Sequence, residues 1–148
     1  MLPLSHLQKQ PEMRDINQIT GAIVDASYRL HTRIGPGLVE SVYEAVLART
    51  LEQQGLTVER QKAISFDLDG MRFEQAFRVD LLVEGSVVVE CKSVEKLAPV
   101  HAKQVLTYLR LLNLPIGLLI NFGAARLNDG VHRIVNSRTS AARAILDV

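Results

Sequence analysis

Ile16, Ile19, Ile23, Ala26 and Leu30 recur at steps of three and four, one apolar stripe along a helix. Asp15, with Gln18 three residues on, fits a capping pair at its start, and Gly35-Pro36-Gly37 stops it. A second helix is predicted from Leu38 to Gln53, with Leu38, Val42, Ala45 and Val46 as its stripe and Gly55 as its end. After Gly55 the period changes to two. Leu56 to Arg60 and Ala63 to Leu68 alternate as strand, Asp69-Gly70 offers a turn, and Met71 to Val83 continues as strand. Glu84-Gly85-Ser86 turns again, and Val87 to Lys92 returns. A further helix is predicted from Val100 to Leu112, where Val105, Leu109 and Leu112 share a face, and Asn113-Leu114-Pro115 breaks it. Ile116 to Gly123 is apolar nearly throughout, the pattern of a central strand covered on both faces. The tail beyond Asn136 has only weak helical character. The order helix, helix, three strands, helix, strand predicts an α/β sandwich with a mixed sheet.

Composition narrows the class. With 148 residues the chain is long enough for one domain with a real core. Residues 1–15 have neither the basic start nor the long apolar middle of a secretory signal, and are read as a loosely packed arm before a single domain over 16–148. No apolar run approaches the roughly 18 residues of a membrane-spanning helix, so no membrane partner is expected. Cys91 is the single cysteine and sits inside an apolar run; it is read as a buried, reduced thiol, which favours a cytoplasmic location. A net charge of +1 argues against a strongly basic nucleic-acid coat. It leaves room for an enzyme that gathers carboxylates at its centre and positive charge locally.

The candidate chemistry lies where Val87-Val88-Val89 runs into Glu90-Cys91-Lys92. In a strand, Glu90 and Lys92 share one face and Cys91 takes the other. Folding the hairpin about Gly85 pairs position 82 with 88 and 80 with 90, which brings Asp80 beside Glu90 with Lys92 one step further along. Two adjacent carboxylates repel unless a cation sits between them. Hard oxygen ligands of this kind suit Mg²⁺ or Mn²⁺, and a neighbouring lysine can steady an attacking water or developing negative charge. The competing account is a solvated strand face with a Glu–Lys salt bridge.

Two further groups accompany these residues. Glu40 and Tyr43, three apart in Gly37-Leu38-Val39-Glu40-Ser41-Val42-Tyr43, share a helix face; Glu40 could equally be a glutamate meeting the positive end of the helix dipole. His101, Gln104 and Tyr108 form a polar stripe on the later helix, with chemistry suited to a phosphate or base edge, or to the wet side of an ordinary amphipathic helix. Arg78 lies on the Asp80 face, as a phosphate contact or a surface strand arginine. The histidines show no zinc spacing.

Asp80, Glu90-x-Lys92 and Gln104-xxx-Tyr108 together resemble the PD-(D/E)XK nuclease superfamily in its RecB-like branch. Gly37-xx-Glu40-xx-Tyr43 is similar to the signature of the small GxxExxY proteins placed in that superfamily. Ile34-Gly35-Pro36-Gly37-Leu38, Arg78-Val79-Asp80-Leu81-Leu82-Val83 and Leu118-Leu119-Ile120-Asn121-Phe122-Gly123 extend the likeness over about Ile16 to Asn136. Val79 stands where the superfamily's name has proline. The resemblance implies a restriction-endonuclease-like α-β-β-β-α-β core with a mixed central sheet flanked by helices. It implies Mg²⁺ or Mn²⁺ held by Asp80 and Glu90 with the Cys91 carbonyl, and Lys92 as catalytic lysine. Glu40 would orient a water or second metal, and Gln104, Tyr108, Arg78 and Tyr43 would contact substrate. The expected function is metal-dependent hydrolysis of nucleic acid, DNA first, by a chain compatible with a homodimer. The alternative is a catalytically silent nucleic-acid or protein interaction module on the same fold.

Overall fold

The computed structural model describes residues 15–139. Helices α1 (Ile16–Ile34) and α2 (Glu40–Gln53) come first. Strands β1 (Val58–Leu68), β2 (Met71–Val83) and β3 (Val87–Lys92) follow, then helix α3 (Pro99–Leu112), strand β4 (Ile116–Asn121), a 3-10 turn at Leu127–Asp129, and strand β5 (Val131–Val135). The five strands form one sheet in the order β1-β2-β3-β4-β5. β3 and β4 run parallel and every other neighbouring pair antiparallel, so the sheet is mixed.

Alternation in β3 builds three layers. Val87, Val89 and Cys91 pack with Leu81, Val83, Ile116, Leu118 and Ile120 under α1 and α2. Val88 packs with Leu82 and Leu119 against Val105 and Leu109 of α3 on the other face. With both faces covered, β3 and β4 read as near-continuous apolar runs. The connection between β2 and β3 has the length that sets the pairing. Glu84 and Gly85 take φ of 53° and 61°, the Ser86 N–H donates to Val83 O at 3.0 Å, and Val83 pairs with Val87, Leu82 with Val88, and Leu81 with Val89.

Three boundaries differ from expectation. α2 begins at Glu40 rather than Leu38, because the Leu38 N–H is claimed by the Tyr43 hydroxyl and Val39 is extended. The two predicted strand pieces Leu56 to Arg60 and Ala63 to Leu68 are one strand, β1. β5 was absent from the sequence pattern: His132 and Arg133 break its alternation, and only half of the short strand is shielded. The arm 1–15 and the end of the chain fall almost wholly outside the described residues. No helix among the described residues is long and apolar enough to cross a membrane.

Candidate functional site at the parting of two strands

Beyond Leu81 and Val89 the β2–β3 ladder stops, although β2 goes on pairing with β1 and β3 with β4. The next residues, Asp80 and Glu90, complete the pairing with their side chains. The Asp80 N–H donates to Glu90 Oε1 at 3.1 Å, and the Cys91 N–H donates to Asp80 Oδ2 at 2.9 Å. These two bonds bring both carboxyls into the gap, near enough for the Asp80 charge to act on Glu90. Each therefore replaces a backbone acceptor that the diverging strands lack, and buried N–H groups find partners.

Here the geometry departs from simple strand parity. Val79 and Leu82 pack in the same layer although their positions differ by an odd number, while Leu81 and Val83 face the opposite layer. The alternation slips once at Asp80, and Gln61 across β1 sits in the left-handed region with φ of 47°. Asp80 and Glu90 thus meet in the gap between strands instead of side by side on one face. This slip releases Asp80 from the core pattern and turns it toward α2.

Burial pushes the Glu90 carboxyl up to about 8, and the Asp80 charge adds to the push; Lys92 works against it. Glu90 is 6% exposed. Lys92 is half-buried and forms no ion pair among the described residues. The competing account, a Glu–Lys surface bridge, is therefore not what this strand end holds.

Across the gap lies a cavity of about 400 Å³ lined by Val39, Glu40, Ser41, Glu44, Gln61 and Asp80. Glu40, exposed at the start of α2, faces this space. Glu44, one turn further on, is a residue that the sequence pattern did not single out. It is 4% exposed and accepts from Arg60 Nη2 at 3.1 Å and Gln61 Nε2 at 2.5 Å. The same Gln61 Nε2 donates to Asp80 Oδ1 at 3.2 Å, and Arg78 Nη1 holds the Gln61 carbonyl at 3.2 Å. Glu44 could have been noticed as the second carboxylate on the Glu40 helix face, four residues on.

A family model for the PD-(D/E)XK nuclease superfamily matches residues 17–134. The chain belongs to the PD-(D/E)XK nuclease superfamily. No curated protein matches it, and no solved structure does. Its mixed sheet flanked by helices is the restriction-endonuclease-like α/β fold of that superfamily.

The other residues singled out in this PD-(D/E)XK chain divide. Tyr108 stacks on Phe77 with ring centroids 4.2 Å apart. Burial raises its hydroxyl pKa, and the charges of Glu90 and Asp80 raise it further, so it feels the carboxyl pair. Gln104 is exposed on α3 and its side chain makes no hydrogen bond among the described residues. His101 leaves the polar stripe to cap its own helix, where its Nδ1 accepts from the Ala98 N–H at 3.2 Å. Cys91 faces the α1–α2 layer with its thiol fully buried and its pKa raised well above the usual value, first by burial.

Tyr43 is corrected. Its ring is 0% exposed and stacks on Phe122 at 4.6 Å, so no substrate reaches it. Its hydroxyl donates to Gly35 O at 2.6 Å and accepts from the Leu38 N–H at 3.2 Å, fastening the α1–α2 turn that presents Glu40. Tyr43→Phe is expected to cost about 1–2 kcal/mol by leaving both backbone groups without this partner. Urea unfolding should show a lower midpoint at unchanged slope.

Asn121 fastens the other side of the site. Its side chain accepts from the Val94 N–H at 3.0 Å and donates to Val94 O at 2.9 Å, which fixes the chain just past Lys92. Gly123 permits that approach, since a Cβ there would lie 2.3 Å from Val94 O.

The donor set fits a hard divalent ion. Among the described residues no group of three or more His, Cys, Asp or Glu side chains is placed to hold a metal. The side chains thus offer two carboxylates, and the remainder of a shell would come from the Cys91 carbonyl, water and phosphate. Mg²⁺ is commonly held in this way.

Proposed function

We propose that this chain is a small Mg²⁺- or Mn²⁺-dependent nuclease that hydrolyses phosphodiester bonds. The supporting observation is that the Asp80 and Glu90 side chains meet in the strand gap, each bonded to a backbone N–H of the opposite strand, with Lys92 two residues past Glu90. Burial, with the Asp80 charge adding to it, raises the Glu90 carboxyl to about 8, and a cation between the two would favour its ionised form. When bound, the ion would neutralise phosphate charge and favour ionisation of the attacking water.

The chain's own residues supply the rest. Asp80, Glu90 and the Cys91 carbonyl would hold the ion. Lys92 orients the attacking water and steadies negative charge as the new P–O bond forms and the old one breaks. Glu40 faces the cavity from α2 and orients water from that side. Tyr108, Gln104 and Arg78 meet the substrate from α3 and β2.

Gln61 positions Asp80 by holding Oδ1. Gln61→Ala should weaken Mn²⁺ binding about tenfold or more, as removal of an outer partner of a ligand does. Titration calorimetry checks this; unchanged affinity would reduce Gln61 to filling space.

One observation favours a second reading, the silent interaction module. Both carboxyls of the pair have protein partners already, Gln61 and Cys91 for Asp80 and the Asp80 N–H for Glu90. A protonated Glu90 could close the pair without an ion. Cleavage assays on single- and double-stranded DNA and RNA with Mg²⁺ or Mn²⁺ decide between the two. A protein that binds the ion and cuts none of them is the module.

A further inference from the structure

The β1–β2 hairpin outruns the sheet. β2 pairs with β3 only from Leu81 to Val83 but stays paired to β1 down to Met71. The two faces of this arm differ sharply. On one, Arg72 bonds Asp67 at 3.1 Å and Glu74 at 3.0 Å, and Ser65 bonds Glu74 at 3.3 Å, so the arm's charges largely satisfy one another. On the other, Phe66 opposes Phe73 and Leu68 opposes Met71. Leu68 is 52% exposed, Met71 57% and Phe73 37%.

The register shift between Ile64 and Phe66 lets the aromatic face continue toward the sheet. Phe73 stacks on Phe66 at 5.1 Å, Phe66 meets Phe77 at 6.3 Å, and Phe77 stacks on Tyr108 at 4.2 Å. A chain with only four phenylalanines and three tyrosines places three of the former and one of the latter in this row. Core packing accounts for only half of it: Phe77 and Tyr108 pack against the second core cluster, while Phe66 and Phe73 lie beyond both clusters on the arm. The row starts on an exposed arm and ends at Tyr108, which packs against the cluster holding Val79 and Val88, the strand residues next to Asp80 and near Glu90.

We propose that the row Phe73–Phe66–Phe77–Tyr108 is a base-stacking platform that takes a single-stranded nucleic acid along the hairpin and leads its backbone to Asp80 and Glu90. The inference rests on the nuclease reading and names the substrate class of that site. Flat aromatic faces take unpaired bases of any sequence, whereas in a duplex each base face is covered by its neighbours. The charges agree. Lys92, Lys103 and Arg110, on the elements that carry the row and the site, form no ion pair among the described residues and can meet phosphates; Arg78 also forms no ion pair and is held only by one bond to the Gln61 carbonyl. A second copy of the chain is the weaker occupant. Three partly exposed side chains fall well short of the roughly 800 Å² per partner of a stable interface.

The test is fluorescence anisotropy on the full chain in EDTA, where no cleavage intervenes, with labelled single-stranded DNA, single-stranded RNA and the DNA duplex of the same sequence. Single strands should bind more tightly than duplex. Phe73→Ser should weaken single-strand binding about tenfold or more, matching the loss of one stacked base, and Phe73→Trp should restore it. Circular dichroism of each variant checks that the arm remains folded, and Met71→Ser, on the same face, gives a second variant should Phe73→Ser unfold. Equal affinity for duplex, no binding of single strands, or indifference to both substitutions overturns the platform. So does light scattering that shows a dimer dispersed by Phe73→Ser, which would assign the face to a second copy. The two readings can fail separately. Phe73-dependent binding without cleavage in Mg²⁺ sinks the nuclease and keeps the platform, while cleavage that ignores Phe73 does the reverse.

Discussion

Replacing Lys92 by alanine is expected to lower metal-dependent cleavage of nucleic acid by about 10²-fold or more, the cost of removing a positioned electrostatic or proton-handling group. Ion binding should persist or tighten. The reason lies in what the lysine touches. It is half-buried at the end of β3, without an ion pair among the described residues, and its charge acts on Glu90 by lowering that carboxyl's pKa. Its loss leaves both carboxyls in place and removes a positive neighbour that competes with a cation. Glu90→Gln should fail differently, because it removes a ligand and weakens ion binding together with cleavage. Calorimetry with Ca²⁺ or Mn²⁺ alongside a cleavage assay separates the two variants. Equal loss of ion binding in both would assign Lys92 to holding the strand end together rather than to chemistry.

The expectation behind this experiment came from counting along a hairpin, and that part of the molecule was legible for a physical reason. A turn of fixed length and a period of two determine which residues oppose each other, so Leu82 opposite Val88 followed directly from Gly85. The layers were legible in part. Ile19, Ile23, Ala26 and Leu30 form the buried face of α1 as their spacing declares, but on α2 the expected stripe Leu38, Val42, Ala45 and Val46 is exposed or half-buried, and Tyr43, Leu47, Ala48 and Leu51 enter the core instead. What escaped depended on departures from regularity. The slip at Asp80 and Gln61 leaves no mark in the hydrophobic pattern, since it exchanges one apolar neighbour for another. Tyr43 shared a helix face with Glu40, but periodicity alone cannot separate a ring that enters the core from one that borders a site. Glu44 reads as an ordinary helix glutamate until Arg60 and Gln61 are folded against it. The aromatic row was dispersed over β1, β2 and α3, and only the register shift and the docking of α3 draw it together. β5 offered two adjacent polar residues in five, too weak an alternation to declare a strand.

Asp80→Asn is expected to leave the metal-free protein as stable as the wild type or more so, and to abolish stabilisation by the ion. The pH dependence follows from Glu90. Its carboxyl is raised from 4.5 to about 8 in the folded protein, by burial and by Asp80. The folded state therefore prefers the protonated acid, and the associated stability, complete below the unfolded value, is lost as pH rises toward and through about 8. Asparagine keeps an oxygen for the Cys91 N–H, removes the repelling charge, and can donate to the Glu90 carboxylate. The Glu90 pKa should fall and the decline in metal-free stability with pH should flatten. Metal binding runs the opposite way in the wild type. It needs both carboxylates ionised, so the ion-induced rise in melting temperature should grow between pH 6 and 8, with proton release on binding. At a hundredfold excess over Kd the gain is about 2.7 kcal/mol, a shift on the order of 10 °C for a domain of this size. Thermal melts of both proteins across this pH range, with and without Mn²⁺, test each part. A marked loss of metal-free stability in Asp80→Asn would show that the carboxylate chiefly braces the parted strands against Gln61 and Cys91, and the repulsion argument for an ion would fall with it.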